Sequence, residues 1–526
     1  MSDPETPSPS VRPDLAALRE RLASLSDEGR PAAVAKRRKT GQRTARENLA
    51  DLVDPGSFVE YGAFAVAAQR TRYSLEELFQ VSPADGILCG IGTVNRELVG
   101  EARARAMVLA YDYTVLAGTQ GHVGHRKLDR MLELALHHRI PVVLFAEGGG
   151  GRPGDVDSHT VSGLDTTSFL RFAALSGLVP RVGIASGRCF AGNASLLGTA
   201  DVVIATENSN IGMGGPAMIE GGGLGKFTPE EIGPIDVQSK NGVVDIRVKD
   251  EAEAVAAARK YLAFFQGPLA GWTAADQSPL REAVPENRRR AYKVRPILRT
   301  LFDVDSVLEL RAEFGRSLVT ALARLEGQPI GVLASDTMHL GGAVDGDAAD
   351  KAARFLQLCD AFALPVISLA DTPGFMVGPK AETTALVRRT SRLFVAAASL
   401  RVPYFTVMLR KGYGLGAQAL AGGHFHAPFF TVSWPGGEFG GMNLEGAVRL
   451  SMKKMLEAIE DPEERERTLR SMVEFAESRG KAISMASLLE IDAVIDPADT
   501  RQWLLRGLRS VPPPPADRAR RFVDTW

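Results

Sequence analysis

Apolar residues recur along this chain in two rhythms. Near the start, Leu15, Leu18, Leu22 and Leu25 fall at helical spacing and predict a helix over 14–27, with Asp14 as its N-cap. ARENLADLVDPGSF (45–58) predicts a second, short helix closed by Asp-Pro-Gly. From Asp85 onward, short apolar runs alternate with amphipathic stretches, the order of an α/β protein. DGILCGIGTV and MVLAYDYTVLAGTQG come first, and a helix carrying Leu128, Met131, Leu132 and Leu134 leads into the strand PVVLFAE. Four glycines and an arginine follow, Gly148 to Arg152. Another helix precedes VPRVGIASGRCFAGNASLLGTADVVIA, and a glycine-rich loop (211–225) comes after it. Residues 266–300 read as a connection, and PIGVLAS (329–335) opens a second half. There an apolar strand (366–369) runs to an acid, Asp371, and a Pro373-Gly374 turn precedes a polar segment able to start a helix. Such strand-end turns are where α/β proteins leave backbone N–H groups free for ligands.

The two halves match each other. Sliding the chain along itself until position 108 falls on position 332 lays VLAYD (108–112) on VLASD (332–336). The same offset lays Leu116 and Gly118 on Leu340 and Gly342, and Lys127, Arg130, Leu132 and Leu134 on Lys351, Arg354, Leu356 and Leu358. It lays Pro141 on Pro365 and Glu147 on Asp371, while Pro180 falls on Pro403 one step out of register. The chain therefore contains two copies of one strand–helix–strand–turn unit, and so two related sites or one composite site.

Composition narrows the class. At 526 residues the chain exceeds a single core, 45% apolar and 24% charged residues fit a globular protein, and a net charge of −1 offers nucleic acid no basic surface. Cys89, Cys189 and Cys359 stand far apart, which argues against a zinc ribbon or disulfide framework. The polar start and the lack of an 18-residue apolar run predict no secretory signal and no membrane span, and a cytoplasmic protein.

In each copy a strand runs into a turn of small residues before a helical stretch: Ala191-Gly192-Asn193-Ala194, and Tyr413-Gly414-Leu415-Gly416-Ala417. Small residues let a substrate carbonyl approach the backbone, and free amides at a helix start can hold a developing oxyanion. Other candidates carry less. Ser195 lacks a G-x-S-x-G setting, His137-His138 lack a third ligand, and His424 and His426 read as structural. Asp371 could be a base but more often such an acid orients its turn. The 212–216 loop is not a G-x-G-x-x-G fingerprint. The cluster Lys36-Arg37-Arg38-Lys39 reads as a solvated face or subunit contact.

These residues resemble the carboxyltransferase (β) subunits of biotin-dependent acyl-CoA carboxylases, the propionyl-, acetyl- and methylcrotonyl-CoA carboxylase family, over about residues 15–510. The motifs are TARENLADLVDPGSFVE (44–60), LAGTQG (116–121), EGGGGR (147–152), NGVVDIRVKDEAEAV (241–255) and VPENRRRAYKVRPIL (284–298). The second half adds GGAVDGDAADKAARFLQLCDAFALPVISLADTPGFMVG (341–378), LRKGYGLGA (409–417) and SWPGGEFGGMNLEGAV (433–448).

The resemblance implies an α/β fold of two tandem crotonase-like (ClpP/crotonase) β-β-α spiral domains. An acyl-CoA domain would span 13–280 and a carboxybiotin domain 281–510, between a disordered tail (1–12) and a Pro-rich, basic tail (511–526) that reads as a tail or subunit contact. It implies a homo-hexamer, a trimer of dimers, with the active site between the N-domain of one subunit and the C-domain of another. Biotin would ride on a separate biotin carboxyl carrier protein, charged by a biotin carboxylase, as separate subunits or a fused equivalent. No metal, nucleic acid or membrane is implied. Carried over by position, the backbone of Gly192 and Asn193 would stabilise the thioester enolate, and that of Gly416 and Ala417 the biotin ureido oxygen. Gly149, Gly150, Arg152, Tyr413 and Gln418 would contact substrate, and Gly374 and Phe375 the biotin. The chain departs from the family pattern at Gly148 and Asn193, at Leu415, which reads as an insertion, and at Gln418. It lacks the Met-Lys-Met biotinylation motif. A decarboxylase subunit or a non-catalytic scaffold are the alternatives.

Overall fold

The computed structural model describes residues 12–157, 162–512 and 519–526. Two sheets organise it. The first has seven strands in the order Val59–Glu60, Ile87–Thr93, Arg105–Tyr111, Val142–Phe145, Arg181–Ala185, Val202–Thr206 and Ile246–Val248. The second has eight, Leu308–Leu310, Leu318–Leu325, Gln328–Ser335, Val366–Thr372, Tyr404–Tyr413, Phe430–Ser433 and Ala493–Val494 in line, with Glu438–Gly440 pairing beside Tyr404–Tyr413. Each begins with an antiparallel hairpin and continues in parallel strands joined by helices, the β-β-α unit expected from sequence.

The internal repeat extends to strand register. Met107 pairs with Val142 in the first sheet and Gly331 with Val366 in the second, both members of the pair moved by the offset read from the sequence. The next pair slips by one: Val142 faces Arg181, whereas Val366 faces Tyr404, one position short of that offset. Inward-turned lysines repeat too. Lys127 Nζ donates to the carbonyls of Ala84 and Ile87, and Lys351 Nζ to those of Arg311 and Phe314 at 2.9 and 2.7 Å.

The copies differ in cover. Helix His122–His138 buries five of its 17 residues, along one stripe. Its counterpart Gly346–Ala361 buries 13 of 16, because it lies in the core cluster that also holds Tyr261, Val143 and Val202 of the first unit. Its alanines at 348, 349, 352 and 353 let the two units approach.

Two expectations change. The first helix is Pro13–Ser24, entered from Arg12 rather than capped by Asp14, and Leu15, Leu18 and Leu22 remain exposed on it. The expected tail 1–12 lies outside the described residues but for Arg12. Of the Pro-rich segment, 513–518 also lie outside them, and 519–526 pack against the chain's own two units instead of forming a tail. Val523 is buried, its N–H and carbonyl both bonded to Ser176 Oγ at 2.8 Å, and the Asp524 carboxylate meets Arg392 at 2.7 Å. The four prolines signalled stiffness but said nothing of the apolar anchor beyond them.

Candidate functional site

The strand Arg188–Phe190 ends at Ala191, whose φ of 51° and ψ of −121° are strained for a residue with a side chain. Helix Gly192–Gly198 follows at once. Ser195 N–H donates to Ala191 O at 2.8 Å, so the amides of Gly192, Asn193 and Ala194 have no acceptor within the helix. A Cβ on Gly192 would sit 2.0 Å from Gln120 Oε1 and 3.3 Å from Phe169 Cζ. Those two side chains roof the turn; sequence reasoning missed both, since Gln120 falls on Val344 in the repeat and Phe169 on an unmatched stretch.

Beside this turn runs the loop after strand Val142–Phe145. Gln120 N–H donates to Gly150 O at 2.7 Å and Arg152 N–H to Gln120 O at 2.9 Å. In the second unit, Val344 N–H donates to Gly374 O at 3.0 Å and Met376 N–H to Val344 O at 2.9 Å, every partner displaced by the repeat offset. The amides of Gly151 and Phe375 take no part in these bridges. Gly149 and Gly151 are exposed, and Gly150 is buried beneath them.

The second turn corrects the sequence alignment. Because the paired strands have already slipped by one, the left-handed residue entering each helix falls at Ala191 and at Gly414, whose φ is 58°. Within the repeat, Leu415-Gly416 stand where Gly192-Asn193 stand, and Ala417 where Ala194 stands. A Cβ on Gly416 would lie 2.7 Å from Phe375 N, so the helix start and the Gly374-Phe375 peptide are in close contact. Leu415 is 62% exposed and, with Gln418, Phe425, Phe439, Leu444 and Met485, lines a cleft of about 740 Å³. Clefts of this size suit small-molecule ligands.

Several charged candidates turn out to be internal. Arg152 was expected to contact substrate, but its guanidinium is buried against the Asp85 carboxylate and donates to Asp85 O and Thr119 O at 3.2 and 3.0 Å. All of its donors face the protein, and it shapes the glycine loop from beneath. Tyr413 is buried too, with its hydroxyl on Glu438 Oε1 at 2.7 Å; burial and that bond raise its pKa. The strand-end acids are both paired. Asp371 accepts from Arg410 Nε at 3.0 Å, Tyr292 Oη at 2.9 Å and Lys411 N–H at 3.2 Å. Glu147 is gripped by both Nη atoms of Arg37, with Nη1 at 2.8 Å. Arg37 is thus a buried partner and not part of a solvated basic face.

His426 Nε2 lies 2.7 Å from Leu489 O, and His137 and His138 stack edge to face. The Ser195 hydroxyl is directed at Met213 Sδ, at 4.0 Å. Among the described residues, no group of three or more His, Cys, Asp or Glu could hold a metal ion. No helix among them is long and apolar enough to cross a membrane. The chemistry on offer is that of backbone dipoles: two helix starts, each facing a strand-end loop, with buried acids as braces.

Residues 36–511 match the family described as the carboxyl transferase domain. The chain is 33% identical over 512 residues to the biotin-dependent long chain acyl-coenzyme A carboxylase beta4 subunit of Mycobacterium tuberculosis, covering 94% of this chain and 93% of that one. It is 31% identical over 503 residues to the methylmalonyl-CoA carboxyltransferase 12S subunit of Propionibacterium freudenreichii, covering 93% of each. Among solved structures, a single-chain, multi-domain long-chain acyl-CoA carboxylase superposes with a TM-score of 0.89 at 57% identity, covering 94% of this chain. The present chain spans about half of that one, 49%. The transcarboxylase 12S hexamer with methylmalonyl-coenzyme A and methylmalonic acid bound superposes with a TM-score of 0.83 at 28% identity, over 98% of this chain and 99% of that one.

Proposed function

The chain belongs to the carboxyl transferase family, and from that premise we propose that it is the carboxyltransferase component of a biotin-dependent acyl-CoA carboxylase acting on long-chain acyl-CoA in the cytoplasm. The observation that carries the substrate class is the 57% identity to a long-chain acyl-CoA carboxylase, against 28% to the transcarboxylase that binds methylmalonyl-CoA.

The amides of Gly192 and Asn193 take the thioester oxygen as it gains enolate charge at the α-carbon. Donors placed ahead of the reaction in this way are worth roughly 3–4 kcal/mol each. Gln120 and Phe169 close the turn from above, and Gly149 and Gly151 leave the loop low enough for a thioester to lie across it. In the second unit, the amides of Leu415, Gly416 and Ala417 at the helix start take the planar urea carbonyl, as backbone donors. Carboxybiotin, delivered there on a carrier protein, supplies the carboxyl group. Neither Asp371 nor Glu147 is free to act as a base; as the family resemblance implies, the α-proton would pass to the biotin nitrogen that has given up the carboxyl group, and the chain's part is to polarise and position. The transcarboxylase 12S relative assembles as a hexamer; as the family resemblance implies, the two turns of one site come from different subunits, and a biotin carboxylase and a biotinylated carrier complete the system.

The test is carboxylation with a charged biotin carrier across acetyl-, propionyl-, octanoyl- and palmitoyl-CoA. The highest kcat/KM is expected for palmitoyl-CoA; a preference for propionyl-CoA overturns the substrate assignment, and no turnover with any of them overturns the enzyme reading.

A further inference from the structure

Both copies of the repeat bury the same backbone amide and satisfy it from different places. Gly150 and Gly374 are counterparts at the repeat offset, and both are buried, so each N–H needs an acceptor inside the protein. In the first copy the acceptor is Asn193 Oδ1, at 2.9 Å. The same side chain donates through Nδ2 to Gly118 O at 3.3 Å and is fully buried. In the second copy the acceptor is Thr372 Oγ1, at 3.1 Å from Gly374 N, and Thr372 is also fully buried.

The positions exchange roles. Thr372 is the counterpart of Gly148, and Asn193 is the counterpart of Gly416 in the register of the paired strands. Each copy therefore carries one polar side chain and one glycine, in opposite arrangement. Packing keeps both glycine positions bare. A Cβ on Gly148 would lie 2.4 Å from Asn193 Nδ2 and 2.1 Å from Gly118 O, the carbonyl that Asn193 engages. A Cβ on Gly416 would lie 2.5 Å from Gly374 C. A side chain at either glycine would press on backbone, and at 148 on the Asn193 amide as well.

We propose that Asn193 and Thr372 are equivalent positioning residues for the strand-end loop: each holds the buried N–H of its glycine, Thr372 from within the loop and Asn193 from the helix start, so that Asn193 also sets the gap between that loop and the helix amides. The clamp explains together the two departures at Gly148 and Asn193. It rests on the reading of the Gly192-Asn193 turn as the acyl-CoA site, while the clamp itself is a statement about one buried amide.

The experiment uses the full chain with N193G, the exchange variant G148T/N193G, and the pair T372V and T372S. Glycine at 193 keeps the backbone amide and removes only the clamp. Hydrogen exchange in peptides spanning 147–152 and steady-state kinetics are both read. N193G is expected to speed exchange in that loop and lower kcat by about 100-fold, the effect of a displacement near 1 Å, with little change in KM. G148T/N193G frees the Gly118 carbonyl to shift away from the new Cβ and lets a hydroxyl reach Gly150 N–H, as in the second copy, so protection in the 147–152 loop returns, and part of kcat with it. T372V loses turnover and T372S keeps it. Unchanged exchange in N193G overturns the clamp, and an exchange variant no better than N193G overturns the equivalence. Protection that falls and returns while kcat stays constant keeps the clamp and overturns the site reading instead.

Discussion

Arg37 offers a sharp test of the energetics beneath the first turn. It lies in a run of four basic residues, yet its side chain is 6% exposed and that of its partner Glu147 is 9%. Arg37→Ala leaves the Glu147 carboxylate at the end of its strand with Gln42 Nε2, at 3.3 Å, as its remaining side-chain donor. Two unit charges about 4 Å apart interact by about 4 kcal/mol at an effective dielectric near 20. That agrees with the roughly 3–5 kcal/mol usually lost when one partner of a buried pair is removed. Arg37→Ala should therefore cost about 3–5 kcal/mol, while Lys36→Ala, on the exposed face next door, should stay within about 0.5 kcal/mol. The assay is urea unfolding, reading midpoint and slope. A second variant separates charge burial from packing: Arg37→Met with Glu147→Leu removes both charges at similar volume and should recover most of the loss. A cost below about 1 kcal/mol for Arg37→Ala, or a double variant as unstable as the single, would refute the argument.

Three further outcomes are expected. Burial lowers the Lys351 pKa to about 7, so the folded state binds fewer protons than the unfolded one between there and the ordinary value of 10.5; stability should rise with pH across that window, by up to about 1.4 kcal/mol per pH unit, and unfolding midpoints of Lys351→Met should lack the rise. Asp371→Asn should lower thermal stability by uncoupling Arg410 and Tyr292, and lower kcat, while leaving the shape of the pH–rate profile intact; loss of an acidic limb would make Asp371 a base after all. Gly177→Ala places a Cβ 1.5 Å from Arg521 O at a φ of +66°, so it should destabilise by about 1–3 kcal/mol in the full chain. Much of that cost should vanish when 519–526 are deleted, because the two changes remove the same contact; additive losses would count against it.

The sequence by itself determined the doubled unit. Apolar strands and amphipathic helices repeat at one constant offset, and the structure pairs Met107–Val142 and Gly331–Val366 at that offset. The doubling is legible because these strands are buried on both faces and so read as continuous apolar runs, which both copies must keep. The small-residue turns were legible for a similar reason, since only small residues fit where backbone approaches backbone. What only the tertiary structure decided is which side chain serves each buried group. Arg37 reaches Glu147, and Asn193 reaches Gly150, from far along the chain. Arg152 turns inward to Asp85, on the strand entry well before it. Nothing in local periodicity distinguishes a basic residue facing water from one facing a buried carboxylate, or an asparagine that caps a turn from one that clamps a distant loop. Periodicity reports the face on which a side chain lies; the partner it meets depends on which loops the sheet brings together, and the slip by one between copies sets that at the second turn.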